Sequence, residues 1–260
     1  MTQRFAGRTV LVTGSSRGIG LRLATAFAAE GADVVLNART ADATGEARAR
    51  LEHELADADA DGTGRILESV FDVADDEGVR NAIDALATTT GAVDILVNNA
   101  GIHRRAPLVD LAAEDWRAVL DTNLTGPFLV SRSVAPAMIA AGAGVILNIC
   151  SVQSALARPS TAAYAASKAG LAGLTRAMCA EWASSGLRVN GLAPGYVDTE
   201  LNEPLVSDPV MSAWVLGRTP AARWGHVDDI TGPALWLCSD EAAFVNGQVV
   251  YADGGMTAVV

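Results

Sequence analysis

The sequence predicts an α/β fold, a doubly wound parallel sheet that is covered by helices on both faces. Short apolar runs rich in β-branched residues alternate along the chain with longer stretches of helical composition. This alternation is typical of βαβ units, whose strands are buried on both sides and are therefore apolar throughout. Half of the 260 residues are hydrophobic, which is enough for one large core, so we expect residues 1–260 to form a single domain.

Seven short segments are predicted strands because each is mainly a run of Val, Ile and Leu. They are Thr9–Val12, Asp33–Leu36, Ile66–Phe71, Asp94–Val97, Gly144–Ile149, Leu187–Leu192 and Gln248–Tyr251. The Ala-rich stretches between them predict helices, most clearly Gly20–Glu30, Trp116–Ala140 and Ala163–Ala183. In this order the elements predict a Rossmann-type sheet, in which a helix follows most of the strands.

Residues 200–225, called the lid segment below, interrupt this alternation. The segment carries Pro204, Pro209 and Pro220 together with two tryptophans, and we expect an irregular insertion there. It follows the carboxyl end of a predicted strand, which is where open α/β sheets bind their ligands. We therefore interpret it as a lid over the functional site.

The composition excludes several classes of partner. The formal net charge is −11, so the chain lacks the basic footprint that nucleic acid or an anionic membrane surface requires. No run of about 18 uncharged apolar residues occurs, and MTQRFAGR leads directly into a predicted strand, so we expect neither a membrane span nor a signal peptide. We expect a soluble cytoplasmic protein. Its three cysteines are widely spaced and predict neither a disulfide framework nor a metal site.

A glycine-rich loop, TGSSRGIG, joins the first predicted strand to the first helix. Gly14, Gly18 and Gly20 would allow a tight turn, a close approach of the backbone to a pyrophosphate and close packing of the helix on the sheet. The positive end of the helix dipole would then face the phosphates. The predicted dinucleotide contacts of this loop are Gly14, Ser16, Arg17, Gly18, Ile19 and Gly20.

Tyr164 and Lys168 stand four residues apart in YAASK, within a predicted helix, so their side chains share one face. Lys168 is the only lysine among the 19 basic residues. A tyrosine has an ordinary pKa of about 10, and a nearby ammonium would stabilise the phenolate and lower that pKa. Ser151 comes 13 residues before the tyrosine and follows a predicted strand. From there its hydroxyl can reach the carbonyl group that the tyrosine would protonate. We therefore predict Tyr164 as the acid–base group and Lys168 as the residue that tunes it.

In chain order, TGxxxGxG, NNAG, DTNLTG, the serine and YxxxK resemble the motifs of the short-chain dehydrogenase/reductase superfamily. The resemblance implies hydride transfer between a nicotinamide dinucleotide and a carbon that carries a hydroxyl. It also implies a fourth catalytic residue, Asn123, which would help to hold a water near Lys168. Beyond the glycine loop, the cofactor contacts that it implies are Asp72, Val73, Asn99, Ala100, Gly101, Tyr164, Lys168, Pro194, Gly195, Val197 and Thr199.

The second predicted strand indicates which dinucleotide is bound. In this superfamily an acidic residue at the end of that strand selects NAD, because it binds the ribose 2′-hydroxyl and repels a 2′-phosphate. Here the strand ends in NART, with Arg39 and no carboxylate, and Arg17 stands in the glycine loop. Arginine pairs well with phosphate, so the sequence favours NADP over NAD.

The resemblance extends to the substrate. GIHRRAP, NICSVQS, LARP, RTPAARWG and FVNGQVVYADGG are similar to the gluconate 5-dehydrogenase (5-keto-D-gluconate reductase) branch, over nearly the whole chain. A sugar acid needs a cation for its carboxylate and polar groups for its hydroxyls. The predicted substrate contacts are Arg104, Arg105, Ser151, Gln153 and Tyr164. Two interpretations stay open for His103, a substrate contact or an exposed loop histidine. Arg158, in the loop after Ser151, adds a further positive charge near the predicted site.

Three alternatives stay open at this point. A 3-oxoacyl carrier-protein reductase would have the same catalytic set, but it would need a basic surface for its acidic carrier protein. Another polyol or sugar dehydrogenase of the superfamily would also fit the motifs. A non-catalytic NADP-sensing protein would be expected to lack Tyr164 or Lys168. The superfamily resemblance further implies a homotetramer, with the helices predicted at Trp116–Ala140 and Ala163–Ala183 buried between subunits.

Overall fold

The computed structural model describes residues 3–57 and 62–259 of the chain. Within these ranges seven strands form one parallel sheet in the order β3-β2-β1-β4-β5-β6-β7. The strands are β1 Thr9–Val12, β2 Asp33–Ala38, β3 Ile66–Val70, β4 Ile95–Asn98, β5 Gly144–Ile149, β6 Leu187–Pro194 and β7 Val249–Ala252. The predicted fold class is confirmed, and each predicted strand end lies within two residues of the observed one.

Helices cover both faces of the sheet. They are α1 Gly18–Ala29, α2 Ala41–Asp57, α3 Asp76–Thr89, α4 Ala113–Leu120, α5 Gly126–Ala141, α6 Ala162–Trp182, α7 Glu203–Val206, α8 Pro209–Arg218 and α9 Asp228–Cys238. One core cluster joins α1, α2 and α9 to alternate strand residues such as Val10 and Val12. A second cluster joins α3, α5 and α6 to the residues between them, such as Leu11. This period of two places consecutive strand side chains in opposite cores, as expected for a sheet that is buried on both faces.

The predicted helix Trp116–Ala140 is interrupted. A π-helical turn at Asp121–Thr125 separates α4 from α5, and Asn123 in this turn is fully buried. An isolated π turn inserts an extra residue into a helix and redirects the side chains around it. Here the turn directs Asn123 toward the interior.

The lid segment is helical, so the expectation of an irregular insertion is wrong. Both α7 and α8 lie within it, and each has a proline in its first turn. Proline is tolerated at that position because the backbone N–H that it lacks has no partner there within a helix. The Asp208 carboxylate caps α8 by accepting hydrogen bonds from the backbone N–H groups of Val210 and Met211.

By length and composition alone, the helical stretch Ala113–Ala141 could cross a membrane, with a mean hydropathy of 1.2 in its most apolar window. In the structure, however, it includes the π turn and packs on the sheet, where Val130, Val134 and Met138 are buried in the second core cluster. Core helices of soluble proteins have the same composition, so this stretch is explained by its place in the core.

Candidate active site

The glycine loop follows β1 at the carboxyl edge of the sheet. Gly14 and Gly18 adopt φ angles of +60° and +56°, in the left-handed region that favours glycine. A Cβ atom on Gly20 would lie 2.4 Å from Asn99 Nδ2, and one on Gly14 would lie 2.7 Å from the Ala100 Cα. The loop therefore accommodates no side chain at these two positions.

The start of α1 fits a phosphate group. Its N-cap residue, Arg17, makes no side-chain capping hydrogen bond, and the first turn contains no acidic residue. The first backbone N–H groups of a helix have no partner within the helix and carry the positive end of its dipole. Together with the bare glycines, this helix end would suit the pyrophosphate of a dinucleotide.

Buried polar side chains hold the glycine loop in place. The Asn99 Nδ2 donates to the carbonyl oxygens of Thr13 and Gly14, at 3.0 Å each. The backbone N–H groups of Asn99 and Ala100 donate to Thr13 Oγ1. On the other side, Asn37 Oδ1 accepts from the backbone N–H of Gly14, and its Nδ2 donates to the carbonyl oxygen of Phe71. Our sequence reasoning noted no anchoring role for Thr13 or Asn37, although a buried polar residue within the apolar run VVLNA is a detectable signal.

The predicted adenosine end lies beside this loop. Val73 is buried, whereas Asp72 is exposed and its carboxylate accepts a hydrogen bond from the backbone N–H of Ala74. Arg17 and Arg39 are both exposed, and neither forms an ion pair with any residue that the structure describes. Both guanidinium groups are therefore available to an anion.

The predicted nicotinamide contacts begin where β6 ends. Pro194 is its last residue, and a Cβ atom on Gly195 would lie 2.8 Å from the Asp253 Cα. Thr199 reaches the glycine loop, since its Cγ2 atom lies 3.9 Å from the position of a Cβ on Gly18. Val197 is buried and pairs with Gly225 in a parallel β-bridge. The bridge joins the two ends of the lid segment.

Helix α6 carries both Tyr164 and Lys168, and its start is connected to Ser151 through a short loop. Ser151 Oγ accepts a hydrogen bond of 3.1 Å from the backbone N–H of Gln153. Ser154 Oγ donates to the carbonyl oxygen of Lys168 at 2.9 Å, which ties this turn to the helix. The structure thus brings the predicted serine, tyrosine and lysine to one place.

Burial shifts the pKa values of both Tyr164 and Lys168. Burial raises the pKa of Tyr164 to about 12, and the nearby Ser151 counteracts the rise only in part. Burial lowers the pKa of Lys168 to about 8. The lysine Nζ donates to the carbonyl oxygen of Ile149 at 2.6 Å and lies 5.8 Å from the centroid of the tyrosine ring. A role for Lys168 in tuning the pKa of Tyr164 remains a prediction.

Asn123 uses both ends of its amide. Its Oδ1 accepts from the backbone N–H of Ile102 at 2.8 Å, and its Nδ2 donates to the carbonyl oxygen of Ile102 and to Ser167 Oγ. Asn123 therefore links the loop that follows β4 to Ser167 on α6, the residue that precedes Lys168. A water-holding role for Asn123 remains a prediction.

The loop after β4 distinguishes the two adjacent arginines. Both are exposed, but the Arg104 Nε lies 3.4 Å from the Asp115 carboxylate on α4. Arg105 has no carboxylate partner among the described residues, and burial lowers its pKa, followed by the positive charge of Arg158. Of the two, Arg105 is the one that remains available to an anion near Tyr164.

His103 is not an exposed loop residue. It is partly buried, and its ring stacks on the ring of Tyr164 with centroids 4.5 Å apart. Neither ring nitrogen has a hydrogen-bond partner of normal geometry within the described ranges, and Gln153 Oε1 also has none. Burial is the first cause that lowers the pKa of His103 to about 4, followed by the charges of Arg105 and Arg158. The imidazole is therefore neutral at neutral pH.

Comparison with known proteins agrees with this geometry. The family model described as enoyl-(acyl carrier protein) reductase matches residues 14–257. The gluconate 5-dehydrogenase of Gluconobacter oxydans is 46% identical over 97% of this chain and 95% of its own length. The 5-keto-D-gluconate 5-reductase of Escherichia coli K12 is 41% identical over 98% of this chain and 97% of its own. A gluconate 5-dehydrogenase from Burkholderia cenocepacia, solved in complex with NADP and tartrate, superposes with a TM-score of 0.91 at 50% identity, covering 99% and 98% of the two chains.

The chain belongs to the short-chain dehydrogenase/reductase superfamily.

Within this superfamily member, the lid segment is held by aromatic contacts. Tyr196 makes edge-to-face contacts with Trp214 and Trp224, at centroid distances of 5.8 and 5.9 Å. Arg223 pairs with the Asp229 carboxylate, at 2.6 Å for the shorter bond, and so links the end of the segment to α9. A cavity of about 320 Å³ lies beneath, lined by residues such as Gly195, Val197 and Arg223 but by no catalytic side chain.

Proposed function

We propose that this dehydrogenase interconverts D-gluconate and 5-keto-D-gluconate with NADP(H). The observation that carries the proposal is the unpaired Arg105, two residues from the imidazole that stacks on Tyr164. In a chain with a net charge of −11, a cation without a partner beside the reacting groups indicates an anionic substrate. The similar G. oxydans and E. coli proteins support D-gluconate and its 5-keto form as that substrate.

The residues present fit NADP better than NAD. Arg17 and Arg39 are exposed and unpaired in the described part of the chain, and β2 ends without a carboxylate at Ala38. A 2′-phosphate would find two cations and no repelling acid there. The B. cenocepacia protein, which was solved with NADP, supports the same cofactor.

Each catalytic side chain would have a distinct role during ketone reduction. NADPH, when bound, supplies the hydride to the carbonyl carbon. The protonated phenol of Tyr164 gives its proton to the carbonyl oxygen, and Ser151 donates a hydrogen bond that strengthens as negative charge develops on that oxygen. Reduction requires the protonated phenol, which is the form that burial of Tyr164 favours. Lys168 and Asn123 hold the end of β5, helix α6 and the loop at Ile102 around the phenol.

The alternatives are less consistent with the site. A carrier-protein reductase would bind an acidic protein, which a net charge of −11 disfavours. A dehydrogenase for neutral polyols would leave Arg105 without a partner in the complex as well. A non-catalytic NADP-binding protein has no use for the assembled serine, tyrosine and lysine.

The proposal extends to the compartment, the domain organisation and the oligomeric state of the enzyme. We place it in the cytoplasm as a single domain that forms a homotetramer through α5, α6 and their surroundings. Trp116, Phe128 and Ile139 support this assembly, since each is at least 36% exposed on α4 or α5. The lid segment begins directly after Thr199, which lies beside the glycine loop, and its last residue, Gly225, pairs with Val197; the segment would close over the substrate. Light scattering at micromolar concentration would detect the tetramer, and a monomeric mass would contradict it.

The test of the proposed reaction is NADPH oxidation with 5-keto-D-gluconate, compared with 2-keto-D-gluconate, fructose and an acetoacetyl thioester. We expect the highest kcat/KM for 5-keto-D-gluconate. In Arg105→Gln the KM for this substrate should rise by more than about tenfold, because a charge-assisted hydrogen bond contributes about 1.5–3 kcal/mol. Arg104→Gln should have the smaller effect, because Arg104 pairs with Asp115. A preference for the thioester would assign the enzyme to the acyl reductases.

A further inference from the structure

Arg158 lies in the loop between Ser151 and Tyr164. The loop follows the short turn Val152–Ser154 and ends at Thr161, whose Oγ1 donates to the carbonyl oxygen of Arg158 at 2.9 Å. The Nε and Nη2 atoms of Arg158 are buried, and neither has a hydrogen-bond partner within the part of the chain that the structure describes. Arg158 as a whole is partly buried, so the structure leaves two buried N–H donors of a guanidinium without partners.

Such a group is costly to the folded protein. A buried N–H donor without a hydrogen-bond partner destabilises the folded protein. Arg188, which is also partly buried, avoids this cost because its Nη1 and Nη2 donate to the carbonyl oxygens of Leu237 and Ser239. Arg158 has no carboxylate of the described residues within reach, so the missing partner is expected to be a ligand.

The two unpartnered nitrogens define the chemistry of that ligand. Nε and Nη2 form the edge of a guanidinium that receives the two oxygens of a carboxylate in parallel hydrogen bonds. Arg4 shows the same edge in use, because its Nε and Nη2 donate to the two carboxylate oxygens of Glu30, at 2.5 Å each. The free edge of Arg158 therefore has the geometry of a carboxylate site.

Arg105 belongs to the same cluster. The positive charge of Arg158 lowers the pKa of Arg105, and both charges lower the pKa of His103. Both arginines come from segments that meet at Tyr164, since Arg105 stands two residues from His103, whose ring stacks on Tyr164, and Arg158 lies in the loop that leads to α6. Their like charges repel each other there. A bound anion turns this repulsion into attraction, whereas a neutral ligand leaves it in place.

We propose that Arg158, the more buried of the two residues, forms with Arg105 a two-arginine site that binds the carboxylate of the substrate. The inference rests on the proposed function for the identity of the sugar acid, but the carboxylate class follows from the arginines themselves. Arg158 then determines specificity by accepting acids and disfavouring neutral polyols of the same length.

Thermal unfolding of the NADPH-loaded enzyme tests the site without turnover, because D-gluconate and D-glucitol can give a hydride only to the oxidised cofactor. D-gluconate and D-glucitol have the same carbon chain, and only the former carries a carboxylate. We expect D-gluconate to raise the Tm of the unmodified protein and D-glucitol to leave it nearly unchanged, because only a bound ligand stabilises the folded state. In Arg158→Gln the difference between the two ligands should disappear. Arg50→Gln, which makes the same change in net charge on the exposed surface of α2, should retain it.

Kinetics with 5-keto-D-gluconate provide the second measurement. Arg158→Gln should raise the KM about 100-fold and leave the KM for NADPH within about twofold, because the lost contact is to the substrate alone. Arg158→Lys keeps the charge but not the paired donors, so its KM for 5-keto-D-gluconate should lie between the values for the unmodified enzyme and Arg158→Gln. If Arg158→Gln does not fold, Arg158→Lys and the comparison of the two ligands on the unmodified protein decide the matter.

The outcomes separate the inference from the proposed function. An unchanged KM and an unchanged D-gluconate shift in Arg158→Gln, with good turnover of 5-keto-D-gluconate by the unmodified enzyme, overturn the inference alone. Lack of turnover, together with a carboxylate-dependent Tm shift that Arg158→Gln removes, overturns the proposed reaction and supports the arginine site. Equal Tm shifts with D-gluconate and D-glucitol in the unmodified protein would overturn the inference directly.

Discussion

The imidazole of His103 lies parallel to the phenol ring of Tyr164, with an angle of 9° between their planes and 4.5 Å between their centroids. The stack covers one face of the tyrosine ring with the imidazole, whose two ring nitrogens are buried. Neither nitrogen has a partner of normal geometry among the described residues, although the Arg104 backbone is near enough to favour the protonated form. Hydroxyl groups of a bound sugar acid would satisfy these nitrogens.

Replacing His103 should separate the stacking contact from the hydrogen bonds. His103→Phe keeps a flat ring on Tyr164, so we expect kcat to be nearly retained and the KM for 5-keto-D-gluconate to rise about tenfold, since a hydrogen bond contributes about 0.5–1.5 kcal/mol. His103→Ala removes the ring as well and should also lower kcat. The KM for NADPH is the internal control. A phenylalanine variant with unmodified kinetics would show that the nitrogens do not meet the substrate.

Lys168 should make stability depend on pH in the alkaline range. Burial lowers its pKa from 10.5 to about 8, so between these values the unfolded chain holds a proton that the folded chain has lost. The free energy of unfolding therefore rises with pH over this window, by about 3 kcal/mol in total at about 1.36 kcal/mol per pKa unit. Tyr164 acts oppositely above pH 10, because its pKa is raised from 10.0 to about 12.

The measurement is urea unfolding of the cofactor-free protein at several values between pH 8 and pH 10, the part of the window in which Lys168 acts without opposition from Tyr164. The difference in unfolding free energy between the unmodified protein and Lys168→Met isolates the lysine, because other titrating groups are shared. We expect this difference to shift in favour of the unmodified protein as the pH rises. A pH-independent difference would contradict the lowered pKa.

Gly20 should tolerate no side chain. Its Cβ would lie 2.4 Å from Asn99 Nδ2 and 2.5 Å from the Gly14 carbonyl oxygen, the two groups that hold the glycine loop. Gly20→Ala should therefore weaken NADPH binding about 100-fold or more and lower the Tm. Gly217, in α8, has no atom within 4 Å of its Cβ position and provides the matched control. Gly217→Ala should stabilise the helix by up to about 1 kcal/mol and leave NADPH affinity unchanged in titrations followed by cofactor fluorescence.

Arg39 should contribute to the choice between the two dinucleotides. Arg39→Asp introduces a carboxylate that repels a 2′-phosphate and can bind the 2′-hydroxyl of NAD, so the ratio of kcat/KM values for NADPH over NADH should fall at least about tenfold. Arg50→Asp on the surface of α2 makes the same change in net charge and should preserve the ratio. Equal efficiency with both cofactors in the unmodified enzyme would refute the NADP preference.

Much of the fold could be predicted because its signals are local. Each strand is a short β-branched run, and the carboxyl ends of parallel strands meet at one edge of the sheet. Motifs at those ends, such as the loop at Gly14, Asn99 and Ser151, therefore lie together whatever the details of packing. The prolines of the lid segment misled the prediction, because Pro204 and Pro209 occupy the first turns of helices, where proline is tolerated.

The sequence by itself determined the fold class, and it predicted the cofactor loop and the candidate catalytic side chains, because these depend on spacing along one strand or helix. The tertiary structure decided which of the adjacent Arg104 and Arg105 is free, since the partner of Arg104 is Asp115 on a separate helix. It also decided the charge state around Tyr164, because the pKa values depend on burial and on the carbonyl oxygen that Lys168 reaches. Side-chain direction and desolvation arise from contacts between distant segments, and no spacing within the sequence encodes them.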